Sequence, residues 1–347
     1  MDKLPYISLI LPCHNEEIFI EKCINSILEN EYPSEKIELL VIDGLSTDNT
    51  VNIVKKYIDK HIKIKIFTNH KKYFPAAVNI GINNSKGDYI FILGAHAVYH
   101  KNYFSKCIET ALRTNADNVG GVLITDGLNK SIIGKGITIV LSHPFGVGNS
   151  TFRTGSNKEI EVDTVFGGCY KKEVFKNIGL FNENLISSSD IDFNKRLKKN
   201  NGKIILNPSI QATYYTRTNF KKFIINNFRN GFWAVYPIKF VDYIPVSARH
   251  FIPFFFFIGI TIGLFLIPFS NIIKNIYLTT ICIYFLITIL ISLKYIFKNP
   301  LYLFILPFLF FTLHYIYGLG STIALIKIIL SKLNYFKHKI FNHNGFL

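Results

Sequence analysis

From Phe251 to Leu347 the chain contains no Asp, no Glu and no Arg, and its only full charges there are seven Lys. With no acidic or guanidinium group to line an ion path, these segments are not read as a transporter or channel. What remains is a membrane composition. Phe251–Phe269 is an uncharged run of 19 residues, Ile276–Leu293 one of 18 and Leu301–Ile326 one of 26. A hydrocarbon core of about 30 Å takes about 20 apolar residues in a helix, whereas a helix of a soluble domain keeps a polar face. No basic, apolar, small-residue succession opens the chain, so the part before the runs is expected to stay in the cytosol. The five cysteines, Cys13, Cys23, Cys107, Cys169 and Cys282, form no CxxC pair and no Cys/His spacing that suits zinc. They are expected to be reduced, mostly buried thiols.

Up to about His250 the chain mixes charge, glycine and apolar residues as soluble domains do. The formal net charge of +16 admits nucleic acid, an anionic membrane surface or phosphorylated substrates, and its location favours the last two over nucleic acid. Arg217, Lys221, Lys222, Arg229, Lys239 and Arg249 crowd the segment before the first apolar run, opposed only by Asp242. Within it, Phe220, Phe223, Ile224, Phe228, Phe232 and Trp233 interleave with Lys221, Lys222 and Arg229. This pattern suits a helix lying in the membrane interface over about residues 219–235, or an ordinary amphipathic helix packed on the domain.

The first hundred residues alternate strand and helix signals, the pattern of a mostly parallel sheet with helices on both faces. Strands are predicted at Ile7–Leu11, Ile37–Ile42, Ile62–Phe67 and Tyr89–Leu93. Phe19, Ile20, Cys23, Ile24, Ile27 and Leu28 recur at helical spacing. A second helix follows Ser46 or Thr47 as cap, with Val51, Val54, Tyr57 and Ile58 inward, and a third covers Ala76–Asn83. Between Asn118 and Thr164 the pattern loosens into glycine-containing stretches expected as loops. A helix from about Tyr170, a strand near Ile204 and a helix from about Asn219 complete this part.

Two loops carry candidate chemistry: Pro12-Cys13-His14-Asn15-Glu16-Glu17 after the first strand, and Asp43-Gly44-Leu45-Ser46-Thr47-Asp48 after the second. Carboxylates on loops from adjacent parallel strands can hold a base and a ribose; Asp43 taken alone reads equally well as a turn residue. The strings ISLILPCHNEE and LLVIDGLSTDNT resemble the opening of family 2 inverting glycosyltransferases, which have the GT-A fold. AVNIGINNSKGDYIFILGAHAVY, HPFGVGNSTFR, EVDTVFGGCYKKEVF and GLFNENL extend the resemblance, toward the subgroup of succinoglycan-biosynthesis enzymes, over about Ser8–Tyr236.

The resemblance implies that Pro12, Glu16 and Asp43 contact the nucleoside of a nucleotide-sugar donor, that Asn79 lies near its diphosphate, and that Asp190 in SSSDIDFNKRL is the base. Asp190 and Asp192 by themselves also read as a helix cap and a first-turn carboxylate. The family's metal-binding Asp-x-Asp is here Gly94-Ala95-His96, so His96 reads equally as a ligand for the Mn²⁺ or Mg²⁺ that the resemblance implies and as a strand-end histidine in a structural hydrogen bond. Its Gln-x-x-Arg-Trp string is absent, and Arg229 with Trp233 stands nearest to it by position, with Asp192 a further candidate for diphosphate or acceptor support.

The implied organisation is a cytosolic GT-A domain over residues 1–235, a linker over 236–250, a transmembrane region over 251–331 and a basic tail over 332–347. Three crossings would put Lys327, Lys332, Lys337 and Lys339 outside, against the positive-inside tendency. A break of the third run at Pro307 and Gly318–Gly320 would relieve this. A polyprenyl-linked or other glycan acceptor and anionic lipid are the expected partners, proximity on one surface favouring a lipid-borne acceptor. A catalytically silent subunit that binds nucleotide sugar is the alternative, with Gly94 as its main support.

Overall fold

The computed structural model describes residues 4–58, 62–127, 131–216, 219–244 and 246–343, with side chains to residue 333. Arg217 therefore lies outside the described residues, as do the side chains of Lys337 and Lys339. Contacts divide the chain into two units, residues 1–128 with 142–216, and residues 129–141 with 217–347.

The first unit is built on a mixed sheet of nine strands: β1 (Ile7–Cys13), β2 (Ile37–Asp43), β3 (Lys63–Thr68), β4 (Tyr89–Ile92), β5 (Ala97–Tyr99), β6 (Asn118–Gly127), β7 (Ile160–Glu161), β8 (Phe166–Lys171) and β9 (Ile204–Thr216). Their order is β3-β2-β1-β4-β8-β6-β9-β5, with β7 beside β9. The first four strands are mutually parallel where they pair. β8 runs against both β4 and β6.

Period-two alternation sends each central strand into two cores. Ile7, Leu9, Leu11, Leu39 and Val41 pack on one face with Ile20, Cys23, Ile24 and Ile27 of α1 (Ile20–Leu28). Ile10, Leu40 and Ile42 pack on the other; α2 (Thr50–Lys55) follows β2, and Ala77, Val78 and Ile82 of α3 (Phe74–Asn84) belong to this second core. Burial on both faces explains why these strands are continuous apolar runs. The α4 helix (Tyr103–Thr114) adds Phe104, Cys107, Ile108 and Ala111 to the first core. Cys13, Cys23, Cys107 and Cys169 are free and buried, and Cys282 is free and exposed.

Three local expectations are corrected. Ser46 and Thr47 do not cap α2, whose preceding residue is Asn49; the Ser46 N–H turns back to the Asp43 carboxylate at 3.1 Å. The region from Asn118 is not loop but a ten-residue strand, β6, followed by α5 (Ile132–Ser142), α6 (Pro144–Val147) and α7 (Thr151–Thr154). Its glycines are there for close approach: a Cβ on Gly120 would stand 2.6 Å from Val165 Cβ, and one on Gly121 would collide with the Ile210 carbonyl, where the register shifts. Replacing Gly121 with Val should therefore destabilise the protein by about 1–3 kcal/mol or more, read as a lower melting temperature in detergent; an unchanged melt would show that the bulge absorbs the side chain. Tyr170, expected to open a helix, belongs to β8, and α8 (Lys172–Ile178) and α9 (Ser189–Lys199) come after it.

In the second unit α10 (Phe220–Val235) is followed by α11 (Ile252–Leu266), α12 (Asn271–Leu293) and α13 (Tyr302–His343). Three segments, Ala248–Phe269, Asn271–Leu293 and Tyr302–Leu333, are long and apolar enough to cross a membrane. The break that would relieve the charge conflict is absent, because α13 continues through Pro307, Gly318 and Gly320. Those glycines are packing points. A Cβ on Gly318 would strike Pro253 and Phe257 of α11, and one on Gly320 would strike the backbone of α10 at Phe228. In return Gly231 of α10 meets the Tyr317 backbone, and its carbonyl accepts the Ser321 hydroxyl at 2.9 Å. Phe223, Asn227, Gly231 and Ala234 form the buried stripe of α10, while Lys221, Lys222, Ile225 and Arg229 are exposed. Helix α10, expected to close the first domain, thus groups with the apolar unit. So does α5, where Gly136 faces Ile305, Leu306 and Leu309 of α13.

Candidate active site

The loops after β1 and β2 hold each other in place. The Asn15 N–H donates to Ser46 Oγ at 2.9 Å, the Thr47 N–H to Asn15 Oδ1 at 2.8 Å, the Glu16 N–H to Thr50 Oγ1 at 2.7 Å and the Asn49 N–H to Glu17 Oε2 at 3.1 Å. Asn15 and Leu45 take positive φ to make these turns. Asp43 is buried, and its carboxylate accepts from the Ser46 N–H. Pro12 is half-buried in β1, paired beside Ile42 of β2.

From this frame Glu16 reaches the loop between β4 and β5. Its Oε1 stands 2.9 Å from Nε2 of His96. The imidazole is wedged edge-on against Phe19, ring centroids 4.8 Å apart, and against Tyr214 at 6.1 Å. Backbone pairing pins the same loop, since the Tyr215 N–H donates to the His96 carbonyl at 3.0 Å. His96 Nδ1 is buried without a hydrogen-bond partner among the described residues. At Gly94 there is room: a Cβ would meet only the Phe166 ring, at 3.4 Å and beyond.

Tyr214 connects this half of the site to the other. It lies 5.9 Å from Phe166 and within the electrostatic reach of Arg153 on α7, which in turn acts on Asp190 in the first turn of α9. Asp190 is exposed and so can meet a ligand. Crowding around it nevertheless strips enough water to raise its pKa above the usual carboxylate range. Hydrogen bonds from its own and the Ile191 backbone N–H, and the Arg153 charge, only partly oppose this. Desolvation likewise lowers the pKa of the Arg153 guanidinium. Under Asp190 a buried polar cluster stiffens the floor. Asn194 Oδ1 accepts from Tyr170 Oη at 3.0 Å and from Asn118 Nδ2 at 3.1 Å, while Asn194 Nδ2 donates to Thr164 Oγ1 at 3.0 Å.

Other expected residues have structural partners of their own. Asp192 is buried and pairs with Arg196 at 3.1 Å, one turn along α9. The buried Asn79 amide spans two segments: Nδ2 donates to the Phe181 carbonyl at 2.9 Å and to Glu183 Oε1 at 3.0 Å, and Oδ1 accepts from the Phe181 N–H at 3.0 Å. Asn79→Ala should cost about 1–3 kcal/mol for each backbone group left unpaired, seen as a fall in melting temperature; no fall would argue that the amide serves a ligand rather than the fold. Arg229 and Trp233 belong to the second unit, where Trp233 packs on Phe232 and Tyr236. The sequence gives Arg153 and Tyr214 no role and marks Phe19 only as a helix residue, because nothing in their spacing brings them together.

Residues 8–179 match the family described as glycosyl transferase family 2. A dolichyl N-acetyl-α-D-glucosaminyl phosphate 3-β-D-2,3-diacetamido-2,3-dideoxy-β-D-glucuronosyltransferase of Methanococcus voltae is 34% identical over 63% of this chain and 70% of its own length. The succinoglycan biosynthesis protein ExoA of Rhizobium meliloti is 27% identical over 60% of this chain, which spans 63% of that relative. A mannosyltransferase from Pyrobaculum calidifontis, solved with GDP-Man and Mn²⁺, superposes with a TM-score of 0.58 over 93% of this chain and 88% of its own, at 14% identity; this likeness speaks to the GT-A fold alone. With residues 8–179 matched to the family and 34% identity to the Methanococcus relative over 70% of that relative's length, the chain belongs to glycosyl transferase family 2.

Proposed function

We propose that this glycosyltransferase moves a sugar, with inversion, from a nucleotide-sugar donor to a lipid-linked saccharide at the cytoplasmic face of a membrane, in surface-glycan or exopolysaccharide synthesis. The observation that carries the reading is the exposed Asp190 within the electrostatic reach of Arg153, which also acts on Tyr214, a ring in contact with His96, whose imidazole meets Glu16. Pro12, Glu16 and Asp43 line the donor end. Asp190 accepts the proton of the acceptor hydroxyl as that oxygen bonds to the anomeric carbon, and the bond from that carbon to the diphosphate oxygen breaks on the opposite face. One carboxylate suffices, since no sugar–enzyme bond forms. Arg153 offsets the negative charge that collects on the leaving diphosphate. Asn79 and Asp192 act by holding the loop at 181–183 and the first turn of α9.

A divalent cation fits the donor end. Its available protein donors are one imidazole nitrogen and one carboxylate oxygen, a set suited to Mn²⁺, and no group of three His, Cys, Asp or Glu side chains clusters among the described residues. A cation bound there would supply further positive charge to the diphosphate.

The acceptor class rests on the apolar helices, on the exposed Lys221, Lys222 and Arg229 of α10, each worth about 1 kcal/mol against an anionic leaflet, and on the dolichyl-linked compound in the Methanococcus relative's name. The test is nucleoside-diphosphate release by membranes containing the protein, over a panel of sugar donors, with lipid extract or soluble oligosaccharide. Release from one donor that requires lipid supports the reading. Equal release with soluble acceptors would overturn the lipid-linked part, and donor binding without release would favour a silent subunit.

A further inference from the structure

We propose that Glu16 supplies the carboxylate ligand that Gly94 cannot, so that Glu16 and His96 together hold the divalent cation of the transfer reaction. The inference deepens the donor-site reading above and rests on it. At position 94 the chain offers no ligand, only open space bounded by the Phe166 ring. The carboxylate in reach of His96 comes instead from the β1 loop, with Oε1 of Glu16 2.9 Å from Nε2. Two ligand atoms at right angles about a cation with bonds of about 2.0–2.2 Å lie about 3 Å apart. A cation set to one side of the line between these two atoms can therefore bond both, once the imidazole and the carboxylate turn toward it. Both residues are positioned for it: the Glu16 backbone is fixed, its N–H tied to Thr50 Oγ1 at 2.7 Å and its carbonyl accepting the Phe19 and Ile20 N–H groups at 2.9 Å, and Phe19 and Tyr214 flank the imidazole.

The unpartnered Nδ1 of His96 adds a reason why the carboxylate is needed. A metal-bound imidazole carries its proton on the other nitrogen and usually gives it to an acceptor. Here that acceptor is missing, so His96 alone is a weak ligand. With two protein ligands the bare ion binds poorly, and diphosphate oxygens and water complete the shell, as small hard cations prefer. The cation and the nucleotide thus bind as a pair.

The experiment measures binding of UDP, GDP, CDP and ADP to the full-length protein in detergent, with Mn²⁺ and with chelator. For the nucleotide that binds, the ratio of the two affinities in the wild type should fall about tenfold or more in Glu16→Gln. The same ratio should return when Gly94→Asp is added to Glu16→Gln, because position 94 has room for a carboxylate. Nitrogen hyperfine coupling in the Mn²⁺ resonance should disappear in His96→Ala. A ratio unchanged in Glu16→Gln, with both affinities lowered alike, would make Glu16 a nucleoside contact and overturn the inference alone. Absence of binding by every nucleotide in the wild type would overturn the donor-site reading and the inference with it.

Discussion

Replacing Asp190 with Asn should slow sugar transfer by about 10²–10⁴-fold, the range contributed by a positioned general base, without unfolding the protein. The stability half follows from the direction of its pKa. The loss of hydration that crowding imposes raises the carboxyl above its ordinary value, so folding disfavours the ionised form, and at neutral pH that form detracts from stability until the pH falls through the raised value. Asn carries no charge, and the melting temperature should hold or rise. The activity half has the opposite pH sense: the base must be ionised, so kcat/KM should fall as pH is lowered through the raised pKa, and Asp190→Asn should lose this acid limb. Wild-type turnover in Asp190→Asn would end the assignment.

Arg153→Ala should cost about 10²–10³-fold in kcat, as removal of one preorganised charge from a developing anion does, and Arg153→Lys should recover only part, since an ammonium lacks the planar fork. A second readout separates this from mere loss of packing. Arg153 holds the Asp190 pKa down against desolvation, so its removal should move the acid limb of the kcat/KM profile to higher pH. A slower enzyme with an unmoved limb would mean that Arg153 supports only its neighbours, such as Phe152, over whose ring it lies at 5.2 Å.

The legible parts of the fold were those in which local pattern and burial agree. β1 to β4, α1 and α3 announce themselves because both faces of the central strands are covered, and apolar runs of strand length alternate with apolar residues at helical spacing. The stretch from Asn118 misled for a physical reason: glycine signals a loop by its freedom, yet Gly120 and Gly121 are in β6 because other backbone approaches them. Gly318 and Gly320 misled in the same way within α13, where they admit neighbouring helices. In both places a partner far along the chain decides what the glycine is for.

The site divides similarly. Sequence strings marked the loops of Glu16 and Asp43, the altered Gly94-Ala95-His96 and the segment of Asp190, since each is a run of neighbours with its own turn chemistry. The lacing of Asn15 to Ser46 and Thr47 and the meeting of Glu16 with His96 join residues about 30 and 80 positions apart along the sequence. So does the electrostatic coupling of Arg153 to Asp190. By itself the sequence determined an α/β domain with family 2 motifs and a carboxylate-free apolar region, because periodicity and composition act over a few turns of chain. Which side chains face one another across the site, and that α13 runs unbroken between its neighbours, only the tertiary structure decided, because these depend on the order of strands in the sheet and on how closely backbones can pack.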